Sequence, residues 1–112
     1  MQNKRGQVDI STLLLQTITS ICVSDVEGIR QIPPRLLGKV YSLFNQEQRH
    51  AAIIQIEQEN IVTVDVFIAV EFNVSIPTTC ETLQELIKQE IEVITGYDVK
   101  AVNIYVDAVL IK

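Results

Sequence analysis

The stretch from Ile61 to Phe72 alternates almost without interruption. Val62, Val64, Val66, Ile68, Val70 and Phe72 fall on one side of an extended chain, and Ile61, Thr63, Asp65, Phe67, Ala69 and Glu71 on the other. Side chains alternate with a period of two along a strand, so the pattern predicts a long strand with one face in the core and one partly wet. The preceding residues, 51–58, predict a partner strand, with Glu59 and Asn60 as the tight turn between them. A last strand is predicted over 99–110, with Val102, Ile104, Val106, Ala108 and Leu110 on one face and Asn103, Tyr105 and Asp107 on the other. A shorter alternation, GQVDIS at 6–11, predicts an opening strand, with Ser11 as the cap of the helix that follows.

Between these strands the period changes to that of a helix. Leu14, Ile18, Ile21, Cys22 and Val26 predict one apolar stripe. That helix ends at SDVEGIRQIPPR, where Gly28 can turn left-handed and Pro33 and Pro34 prevent continuation. A second long helix is predicted after Pro77, with Cys80, Leu83, Ile87, Ile91 and Ile94 as its apolar stripe and Gly96 as its stop. The middle segment 35–44 places Leu36, Leu37, Val40, Tyr41 and Phe44 at helical spacing, which predicts a short amphipathic helix. One apolar face per sheet and one stripe per helix are buried most simply as two layers. The predicted fold is therefore α+β, a two-layer sandwich of order β-α-(short α)-β-β-α-β. Its sheet is mainly antiparallel with the helices on one face, an order that also fits a ferredoxin-like split βαβ. The whole chain, 1–112, reads as one domain.

Charge changes the picture only in the middle segment. Residues 30–50 hold four basic side chains (Arg30, Arg35, Lys39, Arg49) against Glu47, so this variable insert is at +3 on a chain whose net charge is −5. A basic amphipathic insert on an acidic body can dock an acidic partner or a membrane surface, with Arg30, Arg35, Lys39 and Tyr41 as the contact; as a plain connecting helix it would cover a core edge. The acidic balance, with a pI of about 4.7, argues against a nucleic-acid binder, since such a chain gains nothing from counterion release. Phe67 and Tyr105 would suit an RNA-binding sheet face, but Asp65, Glu71 and Asp107 beside them would repel phosphate. The apolar runs are too short for a membrane span and there is no signal peptide, which points to the cytoplasm.

Candidate chemistry is sparse. His50 is the single histidine, with no nucleophile near it in sequence. Glycine-rich phosphate loops and nucleophile elbows are missing. Cys22 and Cys80 both fall on helix stripes and read as small core side chains rather than a disulfide or metal pair. Asp65, Glu71 and Asp107 would share the open face of the sheet, without metal-loop spacing, and read as a solvated face rather than a cation site. The reading is of a protein that is not an enzyme and carries no cofactor or metal.

Five stretches, in order, resemble the alkaline shock protein family. They are GQVDIS, the helix end Asp25-Val26-Glu27-Gly28-Ile29, the valine-rich strand running into Asn73, Ile76 and Pro77, the helix end Thr95-Gly96, and the strand Val99 to Val106. Glu27, Gly28, Asn73, Pro77 and Gly96 are the positions that match the family's structural motif. The resemblance implies an abundant cytoplasmic protein of Gram-positive bacteria, acting in cell-envelope homeostasis or alkaline and envelope stress. It implies protein partners, among them a membrane-anchored family member that holds the protein at the membrane, and self-association. For other members it implies a regulatory link to fatty-acid synthesis through acetyl-CoA carboxylase. It implies no catalytic residues.

Overall fold

The computed structural model describes residues 10–32 and 52–111. Their elements are α1 (Ile10–Asp25), β1 (Ile29–Gln31), β2 (Ile53–Glu57), β3 (Ile61–Glu71), α2 (Ile76–Thr95) and β4 (Asp98–Leu110). The predicted helix at 35–44 lies outside the described residues, and so does the predicted opening strand except for Ile10 and Ser11. Those two belong to α1 and not to a strand end and a cap. The Ser11 hydroxyl instead stands 3.2 Å from the Tyr97 hydroxyl, tying the start of α1 to the end of α2.

The alternating stretch forms the centre of the sheet. Val62, Val64, Val66, Ile68 and Val70 are fully buried on the helix side. β2 and β1 lie end to end along one edge of β3, both antiparallel: Ile53–Glu57 pairs with Ile61–Asp65, and Ile29–Gln31 with Ile68–Val70. β4 takes the whole of the other edge and runs parallel to β3. A parallel neighbour requires a long crossover, and the 20-residue α2 provides it. β3 and β4 are adjacent, so among the described strands this crossover is direct and not split by an intervening strand. The reason is that β1 and β2 already share the only other edge of β3.

The loop between β2 and β3 is one residue longer than predicted. Glu57 pairs with Ile61, leaving Gln58, Glu59 and Asn60 in the turn, and Glu59 and Asn60 both adopt a φ of 61°. Asparagine tolerates that left-handed conformation; glutamate does so only with strain.

Both helices cover the same face of the sheet. From α2, Leu83, Ile87 and Ile91 are fully buried, as the stripe predicted, but Ile94 is 55 % exposed. It lies in the last turn, over a groove shared with Ile21 of α1 and not over the sheet. α1 is rotated from its prediction. Its buried residues are Leu15, Ile18, Thr19, Cys22 and Val23, whereas Leu14 and Ile21 are about half exposed. α1 is apolar around most of its circumference, and packing on β1, β2 and α2 selects one of two overlapping stripes. Thr19 is tolerated in the core because its hydroxyl donates to the Leu15 carbonyl at 2.8 Å.

β4 also departs from a simple alternation. Its register against β3 shifts twice, leaving Lys100 and Asp107 as extra residues. Val102, Ile104 and Val106 face the helices as predicted. After Asp107 the faces exchange, so Ala108 and Leu110 stand opposite Ala69 and Glu71, on the side away from the helices.

Candidate interaction surface

The motif positions lie at chain reversals: Glu27, Gly28, Asn73 and Pro77 at the upper end of the sheet, and Gly96 at the lower end, where α2 turns into β4. α1 stops at Gly28, whose φ is +86°, and the Gly28 carbonyl accepts from the Glu71 N–H at 2.8 Å. A Cβ at Gly28 would lie 2.5 Å from Cγ1 of Val74. The α1–β1 corner, which includes Glu27, is thus pressed against the β3–α2 corner, which includes Asn73. Pro77 sits in the first turn of α2, where it deprives the helix of no hydrogen bond. Gly96 closes α2 in the left-handed conformation, donating its N–H to the Glu92 carbonyl at 3.0 Å. These residues set the path of the chain. Of the candidate contact residues, Arg30 is exposed on β1 opposite Ala69, and Arg35, Lys39 and Tyr41 lie outside the described residues, as does His50.

The face of the sheet away from the helices is a row of cross-strand pairs. Phe67 of β3 and Tyr105 of β4 stack with ring centroids 4.7 Å apart and planes 14° from parallel. One rung away the Asn103 amide donates to the Asp65 carboxylate at 2.8 Å, and at the lower end Lys100 pairs with Glu57 at 3.3 Å. Asp65 is thereby engaged by an amide. Among the described residues no group of three or more His, Cys, Asp and Glu is placed to hold a metal ion. Cys22 and Cys80 are both free thiols. The Cys22 thiol donates weakly to the Leu86 carbonyl at 3.9 Å. Burial pushes its pKa up to about 11, helped by the negative charges of Glu90 and Asp25. A thiol so protonated is a poor nucleophile.

The lower half of the outer edge of β4 is covered by side chains of α2. Gln84 donates its amide to the Val102 carbonyl at 3.0 Å. Glu92 accepts from the Lys88 ammonium at 2.6 Å and from the Val99 N–H at 3.0 Å, and these two bonds hold its carboxyl below the usual range. Above Val102 no described strand pairs with this edge. Large apolar side chains are exposed at the upper end of the same strand pair: Phe72 is 76 % exposed, Ile111 80 % and Val109 50 %. Sequence periodicity placed Phe72 in the core. It lies just beyond the end of β3, where no helix covers it. No described helix is long and apolar enough to cross a membrane.

Comparison with known proteins gives a consistent result. The chain is 26 % identical over 106 residues to the uncharacterized protein Spy1535 of Streptococcus pyogenes, covering 94 % of this chain and 80 % of that one. It is 26 % identical over 101 residues to the uncharacterized protein YqhY of Bacillus subtilis, covering 90 % of this chain and 75 % of that one. No solved structure matches. The model of the alkaline shock protein 23 family, described by its cell envelope-related function, matches residues 1–111. Matched over nearly its whole length, with each of its two long helices followed by a motif glycine in the left-handed conformation, the chain belongs to the alkaline shock protein 23 family.

Proposed function

We propose that this protein serves cell-envelope homeostasis as a non-enzymatic binding protein, working through self-association and through contact with a membrane-anchored partner. The observation that carries the reading is the surface at the upper end of β3 and β4, on a protein of an envelope-related family. Among the described strands, the outer edge of β4 has no strand partner, and it lies next to exposed Phe72, Val109 and Ile111. Exposed apolar clusters and open strand edges are the features through which proteins associate. Catalysis by acid–base or nucleophilic groups needs a paired constellation. Of the described carboxylates, Asp65 is held by the Asn103 amide and Glu92 and Glu57 by lysines, Lys88 and Lys100. On this reading the protein works in the cytoplasm, carried to the membrane by its partner, and its level or assembly responds to alkaline or envelope stress.

The test is affinity capture of the tagged full-length protein from native cells with membranes included, read by mass spectrometry. Recovery of a membrane-anchored protein with a similar domain, lost in a Phe72→Ser/Ile111→Ser variant that still folds, is the expected result. Recovery of a carboxylase subunit without any membrane protein would replace the envelope reading with a regulatory one in fatty-acid synthesis.

A further inference from the structure

We propose that two copies of this chain pair antiparallel along the outer edges of β4, in one register, with Tyr105 of each copy opposite Tyr105 of the other. The inference rests on the self-association proposed above and names its surface. The chemistry of the edge decides what fits it. Val102 turns its carbonyl away from β3, since Gln84 reaches it from outside. N–H and C=O groups of one residue point to the same side of a strand, and sides alternate. Ile104 and Val106 therefore also turn their backbone groups outward, up to the irregularity at Asp107. A row of outward-facing N–H and C=O groups is a ready template for another extended strand.

The two irregularities and the Gln84 bond then select the register. Pairing centred on Ile104 would oppose Val102 to Val106 and require Gln84 to give up the Val102 carbonyl. Pairing centred on Tyr105 opposes Ile104 to Val106 twice and leaves that bond intact. It uses only the regular segment of the edge. On the helix side it sets β-branched residues against each other, a favourable cross-strand pair. On the open side it places the two Tyr105 rings, each 43 % exposed, at the closely spaced position of an antiparallel ladder. Each ring already stacks on Phe67, so the aromatic row continues across the seam as Phe67, Tyr105, Tyr105, Phe67. Asn103 stands opposite Asp107, so no like charges are directly opposed within the paired segment. The arrangement is a closed two-fold dimer with one continuous sheet. The chain leaves β1 and enters β2 on the far edge of β3, away from this seam.

The test uses the full chain in a Cys80→Ala background. Residues at the closely spaced position have Cα atoms about 4.5 Å apart, within the reach of a disulfide. Tyr105→Cys should therefore form a covalent dimer under mild oxidation. Ala101→Cys, on the same face, should not, because the register separates its two copies by eight residues, about 27 Å. Tyr105→Lys should raise the dimer dissociation constant in sedimentation by about tenfold or more, with an unchanged far-ultraviolet dichroism spectrum, and Tyr105→Phe should not. A dimer untouched by Tyr105→Lys, or one in which Ala101→Cys cross-links as readily as Tyr105→Cys, overturns the seam while leaving self-association standing. A chain that is strictly monomeric at the highest soluble concentration overturns the seam and the self-association together. The envelope role would still be answerable by the capture experiment.

Discussion

Replacing Gly28 with alanine tests the corner on which the upper end of the fold depends. Two separate costs act there. A φ of +86° is a conformation that side chains resist, by about 1–2 kcal/mol. The added methyl would also stand 2.5 Å from Cγ1 of Val74, so one of the two corners must move. Overpacking of that kind costs about 1–3 kcal/mol. Alanine recovers about 0.5–1 kcal/mol through the smaller entropy of the unfolded chain. Gly28→Ala should therefore destabilise by about 2–4 kcal/mol, a large part of the 5–15 kcal/mol typical of a domain. Gly96 provides the internal control. Its φ is +79°, but a Cβ there would meet nothing within 4 Å, so Gly96→Ala bears the conformational cost alone, about 1 kcal/mol. Urea denaturation of the two variants, with equal slopes required, reads the difference directly. Val74→Ala removes the clashing methyl. The double variant Gly28→Ala/Val74→Ala should then be less destabilised than the sum of its parts by about 1–3 kcal/mol. If Gly28→Ala costs no more than Gly96→Ala, or if the cycle is additive, the two corners are not pressed together as described.

Three further outcomes follow from the same geometry. The Gln31 side-chain nitrogen is buried without a hydrogen-bond partner, so Gln31→Leu should raise stability by about 1 kcal/mol in thermal unfolding, and a loss would show that the amide is satisfied. Glu59 is held at a φ of 61° in the β2–β3 turn, and Glu59→Gly should stabilise by up to about 1 kcal/mol; a destabilised variant would refute strain at that position. The Cys22 thiol ionises near 9.0 in the unfolded chain and near 11 in the folded one. Below 9 it is neutral in both states and contributes no pH dependence. Between the two values only the unfolded chain loses the proton, so stability should fall as pH rises through this window. The fall should be shallower in Cys22→Ala, and identical slopes would place the alkaline sensitivity elsewhere.

The sequence by itself determined the elements whose pattern has one physical solution. The five alternating apolar residues from Val62 to Val70 can be buried together only as a strand, and they are the fully buried spine of the sheet. Leu83, Ile87 and Ile91 form a stripe only on a helix, and they are its buried face. Gly28 and Gly96 mark stops because no other residue adopts those backbone angles cheaply. The family was legible from the same motif residues, because they stand where the chain must reverse. Tertiary structure decided what local pattern leaves degenerate. α1 carries two overlapping apolar stripes, and only contact with β1, β2 and α2 buries Leu15, Thr19 and Val23 in preference to Leu14 and Ile21. β1 has three residues, too few for a period to show. The extra residues Lys100 and Asp107 are defined only against the ladder of β3, so the exchange of faces beyond Asp107 has no signature along the chain. The edge of β4 left without a partner among the described strands is likewise a property of neighbours. A strand sequence states which side chains want burial, but which of its backbone groups remain unpaired depends on where every other strand has gone.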